Sequence, residues 1–267
     1  MNHKNNWSDN LLIGCDSIIE PTAIIRGVNG NAKNVIIGDN CYIGHNVQII
    51  LDEFELGDYS KIHHNCNIHG YKPCKIGHNA WIGQYTIIDS IGGVTIGNNC
   101  GIGAHSQLWS HIKYGDTLEG CRFFSENSLT IGNDVWFVGH CIVSPICAAD
   151  KSMAMVGSVV TKDMDFNTIY AGAPAKSISD KIGFQFEEIP LDKKISNLKI
   201  YLKKSNVNPQ KIRIVTTMDE ISFDDDLSYF NVKDRKYTKK RNQDEVSFMK
   251  FLLPEKAKFV PYEYYPL

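Results

Sequence analysis

Hydrophobic and small residues recur with a period of six along residues 13–165 of this chain. Each unit opens with an aliphatic or aromatic residue, often followed by Gly, and carries a small residue four places after the opener. The openers are Ile13, Ile19, Ile37, Ile43, Leu56, Ile62, Ile76, Ile82, Ile96, Ile102, Ile131, Phe137, Ala148 and Ala154. A short fixed period is typical of stacked coils, and six residues per side is typical of a β-helix.

Each six-residue unit predicts one short strand and one turn, so three units predict one triangular coil. The opener and the small fifth residue both face a narrow core, while Gly, Asn and Asp tolerate the positive backbone angles of tight corners. The coil openers Ile37, Leu56, Ile76 and Ile96 are 19 or 20 residues apart. We therefore predict an all-β repeat fold, a parallel β-helix of about seven coils stacked about 4.8 Å apart.

The period is absent from residues 181–267, which predicts a second, smaller domain after a repeat domain of residues 1–180. Within it, residues 211–216 and 227–232 look like strands and residues 244–253 like a helix. We interpret this segment as a small C-terminal α/β appendage. It holds 17 Lys and Arg against 13 Asp and Glu. The whole chain has a formal net charge of −2, and this slightly acidic balance argues against nucleic acid as a partner.

Several sequence features bear on compartment and on metal binding. No apolar run reaches membrane-spanning length, and the polar segment Met1–Asn10 lacks a signal-peptide core, so we expect a cytoplasmic protein without a transmembrane segment.

Four of the eight cysteines occupy the small fifth position of the repeat, namely Cys41, Cys66, Cys100 and Cys141. Since no C-x-x-C spacing exists either, we interpret these thiols as core residues and expect no metal site.

The largest interruption of the repeat follows Leu108. The next regular opener, Ile131, comes 35 residues after Ile96, which predicts an inserted loop over residues 109–130. His111 lies at the base of this loop, three residues after the last core-facing position. An imidazole with an unperturbed pKa of about 6.5 can accept and return a proton at neutral pH, so His111 is a candidate general base.

The spacing of the coils also suggests a carboxylate partner for His111. Ile68, Ile88 and Leu108 are each 20 residues apart and should form one column, with His69, Asp89 and Trp109 beside it. Asp89 would then lie about one coil away from His111, within roughly 4.8 Å along the stacking direction. An acidic residue of the loop could orient the imidazole instead, and the loop offers Asp116, Glu119 and Glu126.

Five stretches of the chain resemble the hexapeptide-repeat acyltransferase family, in particular its branch of sugar and xenobiotic O- and N-acetyltransferases. They read IGNNC at 96–100, WSH at 109–111, IGNDVW at 131–136, GSVVTKD at 157–163 and AGAPAK at 171–176. The resemblance covers roughly residues 13–180 and nothing beyond. It implies a left-handed parallel β-helix, assembled as a homotrimer, that transfers an acetyl group from acetyl-CoA to a hydroxyl or an amine.

The resemblance also implies roles for particular residues. His111 would be the base that deprotonates the acceptor. Gly139 and Gly157 would line the pantetheine groove, and Thr161, Lys162 and Lys176 would contact the CoA phosphates. Near the groove the sequence departs from the family pattern, because Ala148 and Ala154 replace aliphatic openers and the segment 144–146 is a residue short.

The expected acceptor is a carbohydrate hydroxyl in a surface polysaccharide or its precursor, and the next choice is the amino group of a nucleotide-linked amino sugar. Trp109, Tyr114 and Phe123 could stack on a sugar ring or could only brace the loop. Acetyl is the family default among small acyl groups.

Two further classes remain open from the sequence. His64 and His69, followed by Gly70, resemble the second and third zinc ligands of γ-class carbonic anhydrases, which share this fold. However, the first ligand would come from near Ile50, where the chain has no histidine, and a catalytic zinc needs three protein ligands. A non-enzymatic scaffold of inactive coils is the other alternative.

Overall fold

The computed structural model describes residues 7–262, so most of the polar segment Met1–Asn10 lies outside the described residues. The chain divides into two compact units, residues 1–186 and residues 187–267. The boundary expected after residue 180 falls inside the short helix Ser179–Ile182, close to this division.

The first unit is built from three sheets, one for each side of the coil, and the seven coils expected from the repeat are present. All strand pairs in these sheets are parallel except the last pair of the second sheet, Ile169–Gly172 with Ala175–Ser177, which is antiparallel. The first sheet contains Ser8–Ile13, Ala32–Ile37, Glu53–Leu56, Cys74–Ile76, Val94–Ile96, Leu129–Ile131 and Cys147–Ala148. The second contains Ile18–Ile19, Tyr42–Ile43, Lys61–Ile62, Trp81–Ile82, Gly101–Ile102, Trp136–Phe137, Met153–Ala154, Ile169–Gly172 and Ala175–Ser177. The third contains Ile24–Arg26, Gln48–Ile50, Asn67–Gly70, Ile87–Ser90, Gln107–Leu108, Ile142–Val143 and Val159–Val160. The fold class, a left-handed parallel β-helix with an insertion and a small C-terminal appendage, is confirmed.

The register of the sheets follows the six-residue period. Ile76 pairs with Leu56 on one side and with Ile96 on the other, so openers stack on openers. From Ile37 to Ala154 every opener is buried, because each is covered on both sides by a coil or by the segment that follows the last coil. The two openers of the first coil, which has a neighbouring coil on one side, are not buried: Ile13 is 45% exposed and Ile19 is half-buried.

Polar residues stabilise the corners of the coils. Asn40, Asn65 and Asn99 have φ angles of 55°, 60° and 64°, the left-handed conformation that Asn tolerates better than most residues. Along one corner the side chain of each coil accepts a hydrogen bond from a backbone N–H of the coil before it. Asp39 N–H donates to Asp58 Oδ1 at 2.8 Å, and Asn98 N–H donates to Asn133 Oδ1 at 2.9 Å. These contacts satisfy backbone donors that the turns leave unpaired.

The cysteines at the fifth position pack inside the coils as expected. Cys41, Cys66, Cys100 and Cys141 are all at most 2% exposed, and all are free thiols. Burial raises the pKa of Cys41 to about 12 and that of Cys66 to about 11. The thiols of Cys41 and Cys66 therefore fill the core as small apolar groups at neutral pH.

The insertion leaves the stacking of the coils undisturbed. The repeat resumes at Leu129, two residues before the opener Ile131, and Val94 pairs with Leu129 as it pairs with Cys74 on its other side. Within the insertion, Ile112–Lys113 and Phe124–Ser125 form a two-stranded antiparallel hairpin. The inserted segment is therefore a projecting arm with its own local pairing.

The second unit has a four-stranded sheet of Ile212–Val215, Ser228–Asn231, Lys236–Tyr237 and Val260–Pro261. Its helices are Leu191–Lys204 and Gln243–Leu252, with a short 3-10 turn at Met218–Glu220. Phe230 lies at its centre, with its ring 5.1 Å from Phe248 and 5.5 Å from Tyr237. The strands expected at 211–216 and 227–232 and the helix expected at 244–253 are confirmed within one or two residues.

The longest helix of residues 7–262 has 14 residues, and none of the helices there has both the length and the apolar character to cross a bilayer.

Candidate active site

His111 lies where the third sheet gives way to the insertion. Gln107–Leu108 is the last strand before the break, and Trp109 N–H still donates to Val143 O at 2.9 Å in the next coil. The chain leaves the coil after Ser110, which is fully buried, so the backbone at His111 is anchored on one side. The His111 side chain is 18% exposed, which leaves its imidazole accessible from one direction.

The structure brings His111 and Asp89 together. His111 Nδ1 lies 2.8 Å from Asp89 Oδ1, a distance typical of a hydrogen bond to a charged group. Asp89 lies on the strand Ile87–Ser90 and its side chain has no exposed surface. A carboxylate that accepts from Nδ1–H fixes the tautomer in which Nε2 carries the free lone pair. His111 Nε2 is therefore the atom that can accept a proton.

The acidic residues of the insertion make other contacts. Asp116 Oδ1 accepts from the backbone N–H groups of Leu118 and Glu119, which closes a local turn. Glu126 pairs with Lys113, and that hydrogen bond lowers the pKa of the Glu126 carboxyl below its usual value, with His111 a minor contributor. Of the acids considered from the sequence, Asp89 is the one in hydrogen-bond contact with His111.

Two residues to which the sequence assigned no part in this site also touch the Asp89 carboxylate. Ser110 donates to Asp89 Oδ1 from both its backbone N–H, at 3.2 Å, and its hydroxyl, at 2.9 Å. Its hydroxyl oxygen in turn accepts from Gly92 N–H at 2.8 Å. His69 Nε2 lies 3.5 Å from Asp89 Oδ2. The contact between His69 and Asp89 could be predicted from their spacing of 20 residues, because one coil has about that length and the two residues therefore pair in adjacent strands.

The candidate acceptor-binding aromatics lie in different surroundings. Trp109 is half-buried, and its ring centroid is 6.2 Å from that of His111 in an edge-on arrangement. Tyr114 is fully exposed on the hairpin, and Phe123 is 72% exposed. Trp109 therefore shares the site of His111, whereas Tyr114 and Phe123 project from the insertion.

Gly139 and Gly157, the glycines expected in a pantetheine groove, stack on each other. Gly157 N–H donates to Gly139 O at 2.9 Å. At Gly157 the backbone has φ 72°, which disfavours any residue with a side chain, and a Cβ there would meet no atom within 4 Å. The backbone at Gly157 therefore borders open space, which fits a narrow chain such as pantetheine lying against it.

The candidate phosphate-binding residues are exposed near the end of the first unit. Thr161 and Lys162 directly follow the strand Val159–Val160 and are both exposed. Lys176 is exposed on the strand Ala175–Ser177, where it pairs with Ala171. Both lysines are therefore accessible to a phosphate.

The histidines of the coils do not assemble into a zinc site. Across residues 7–262, no group of three or more His, Cys, Asp or Glu side chains has an arrangement that could hold a metal ion. His64 stacks on His45 with ring centroids 5.6 Å apart, whereas His69 faces Asp89. The residues present therefore do not fit the three-ligand catalytic zinc of γ-class carbonic anhydrases.

The chain is similar in sequence and in structure to known acetyltransferases. No family model matches it. It is 34% identical over 98 residues to the galactoside O-acetyltransferase of Escherichia coli K12, covering 36% of this chain and 47% of that protein. This similarity agrees with the resemblance of the repeat region to hexapeptide-repeat acetyltransferases. A bifunctional protein GlmU of Listeria welshimeri is 26% identical over 195 residues, 61% of this chain and 38% of the relative.

Solved structures include a polySia-specific acetyltransferase, NeuO, at 22% identity and a TM-score of 0.47, covering 74% of this chain and 94% of that one. The chain spans about half or less of the length of these two curated relatives.

Proposed function

We propose that this chain transfers an acetyl group from acetyl-CoA to a carbohydrate hydroxyl, with His111 as the general base. The observation that carries the proposal is the contact of His111 Nδ1 with the buried Asp89 carboxylate at the base of the insertion. The resemblance to a galactoside O-acetyltransferase supports a sugar hydroxyl as acceptor rather than an amine.

The reaction follows from the orientation of the imidazole. Acetyl-CoA supplies an acetyl thioester, which is activated toward attack by an oxygen nucleophile. Nε2 of His111 removes the proton of the acceptor hydroxyl while that oxygen bonds to the thioester carbonyl carbon. As the carbon–sulfur bond breaks, His111 returns the proton to the departing sulfur. The Asp89 carboxylate stabilises the imidazolium that exists between these two transfers.

The remaining candidate residues have supporting parts in this proposal. Gly139 and Gly157 lie along the pantetheine arm, where side chains would obstruct it. Lys162 and Lys176 contact the CoA phosphates, since exposed ammonium groups are suited to bind them as mobile point charges, and the Thr161 hydroxyl donates a hydrogen bond to a phosphate oxygen. Trp109 forms an apolar wall beside His111 and Tyr114 contacts the acceptor from the hairpin.

The test is thiol-detected CoA release from acetyl-CoA across a panel of galactosides, other glycosides and nucleotide-linked amino sugars. Wild type is compared with His111→Ala and with the matched control His45→Ala, which removes an imidazole that faces Glu20 at 3.4 Å elsewhere on the coils. We expect release that depends on a sugar acceptor and that falls about 10²- to 10⁴-fold in His111→Ala. His45→Ala should retain wild-type activity.

Three results would contradict the proposal or a part of it. Full activity in His111→Ala would remove His111 from the chemistry. Release with amino sugars alone would change the transfer from oxygen to nitrogen. No release with any acceptor in the panel would contradict acetyl transfer to carbohydrates altogether.

A further inference from the structure

His69 lies beside Asp89 in the third sheet. The strand Asn67–Gly70 pairs in parallel with Ile87–Ser90, and the register sets His69 directly opposite Asp89. Adjacent strands of a sheet are about 4.8 Å apart, so side chains at opposed positions on one face are neighbours. The same carboxylate therefore has one imidazole from the insertion and one from the preceding coil.

The two oxygens of the Asp89 carboxylate differ in their surroundings. Oδ1 accepts from His111 Nδ1, Ser110 N–H and the Ser110 hydroxyl. Oδ2 is buried and has no hydrogen bond within the described part of the chain. A buried charged oxygen without a donor costs free energy, and buried polar atoms in native proteins nearly always have a partner. The ring nitrogen that faces Oδ2 is His69 Nε2, at 3.5 Å.

The other nitrogen of His69 is also held by the protein. His69 Nδ1 lies 3.0 Å from Asn67 Oδ1. The oxygen and nitrogen of an Asn amide have the same shape, so a 180° turn of the Asn67 amide brings its NH2 group to Nδ1. In that arrangement Asn67 donates to Nδ1 and the imidazole proton lies on Nε2. That tautomer points an N–H group at Asp89 Oδ2. With both nitrogens engaged, His69 is unsuited to take a proton from a substrate.

We infer that His69 is a positioning residue that donates from Nε2 to Asp89 Oδ2 and so holds the carboxylate from the side opposite His111. A carboxylate held at one oxygen can rotate about its Cβ–Cγ bond, whereas one held at both oxygens has a fixed plane. A fixed plane fixes the direction from which His111 Nδ1–H approaches, and hence the direction of the Nε2 lone pair. This inference rests on the proposed function, in which His111 is the base.

The kinetic test compares His69→Leu with His69→Gln. Leucine has no donor, whereas the side-chain amide nitrogen of glutamine takes the place of Nε2. We expect kcat to fall about tenfold in His69→Leu, which is about 1.36 kcal/mol of transition-state stabilisation, because Asp89 Oδ2 loses its donor. KM for both substrates should change less than twofold, and His69→Gln should retain at least half of the wild-type kcat.

His45→Leu is the matched control. His45 Nε2 lies 3.4 Å from a carboxylate oxygen of Glu20, so this histidine faces a different carboxylate from Asp89. It should leave kcat unchanged. Wild-type kinetics in His69→Leu would overturn the inference, and so would an equal loss in His69→Gln and His69→Leu, because the effect would then not depend on the donor.

A second measurement does not depend on activity. Long-range proton–nitrogen NMR spectra of the imidazoles show which ring nitrogen carries a proton. We expect His69 to carry its proton on Nε2 in wild type and its Nε2–H signal to move in Asp89→Asn. A His69 without a proton on Nε2 would overturn the inference. If wild type releases no CoA with any acceptor, the proposed function fails, and these spectra still decide whether His69 holds Asp89.

Discussion

Asp89 is a charged side chain with no exposed surface, and the donors around it come from separate parts of the chain. Ser110 and His111 approach Oδ1 from the segment that leaves the coil, and His69 faces Oδ2 from the preceding coil. Burial of a carboxylate is unfavourable unless hydrogen bonds replace its hydration. These hydrogen bonds fix the position of the Asp89 carboxylate. Because His111 Nδ1 is bonded to that carboxylate, the imidazole of His111 is held in one orientation.

Replacing Asp89 by Asn should lower kcat about 10²-fold with little change in KM, because the neutral amide neither stabilises the imidazolium nor sets the tautomer of His111. Steady-state kinetics at saturating acetyl-CoA measure this effect. Asp116→Asn is the matched control, since Asp116 accepts only from backbone N–H groups of its own turn among the contacts described. Equal losses in both variants would show that the effect reflects the stability of the insertion and not the contact with His111.

Within the β-helix, the insertion is the element that the six-residue repeat does not predict. Its hairpin pairs Ile112 with Ser125 and Lys113 with Phe124, while the coil on either side continues in register. Several apolar side chains of the insertion are exposed, including Tyr114 and Leu118 at 103% and 93%. The insertion therefore contributes little to the core of the β-helix, and its apolar surface is available to a ligand or to another chain.

Replacing residues 113–124 by Asn-Gly should shorten the hairpin and leave the coils intact. Asn-Gly favours the tight turn that joins paired antiparallel strands, and Ile112 and Ser125 are already such a pair. We expect the melting temperature to change by less than about 4 °C, which corresponds to roughly 1 kcal/mol in a chain of this size. Acetyl transfer should fall through a higher KM for the acceptor, because Tyr114 is removed. A loss of cooperative unfolding, measured by circular dichroism, would contradict the independence of the hairpin.

At the scale of the whole molecule, the outward side of the second sheet exposes large aromatic side chains. Trp81 is 43% exposed and Trp136 is 46% exposed. Gly101 lies between them in the sheet, because it pairs with Trp81 on one side and with Trp136 on the other. The Trp136 ring lies over Gly101. Exposed aromatic groups aligned along one face are typical of surfaces that associate. We propose that the β-helix of the first unit associates through this face into a closed assembly of identical copies, most simply a homotrimer.

We expect sedimentation equilibrium at micromolar concentration to give a mass near three times the 30.1 kDa of one chain. The double substitution Trp81→Glu and Trp136→Glu places charges on this face and should shift the protein toward single chains. Met218→Glu is the control, because Met218 is 46% exposed and belongs to the second unit, not to the second sheet of the β-helix. A wild-type mass of one chain would contradict the trimer, and an unchanged mass of the double variant would place the interface elsewhere.

The six-residue period determined the strands, the buried openers, the small cysteines of the core and the polar corners. These features follow from the sequence because inward and outward directions alternate locally, so the spacing of side chains along the chain is enough to assign them. Ile13 is the informative exception. Its pattern is that of a core residue, but it is 45% exposed because burial also needs coils above and below.

The tertiary structure decided which acid meets His111. The loop acids are closer to His111 in sequence than Asp89 is, and each of them could have reached it along a flexible insertion. Stacking of the coils instead brings Asp89 to His111 across a separation of 22 residues, while Asp116 turns back onto its own backbone. The contact of His69 with the second oxygen of the same carboxylate depends on sheet register for the same reason. A period describes one coil, whereas the site is formed where consecutive coils and the inserted chain meet.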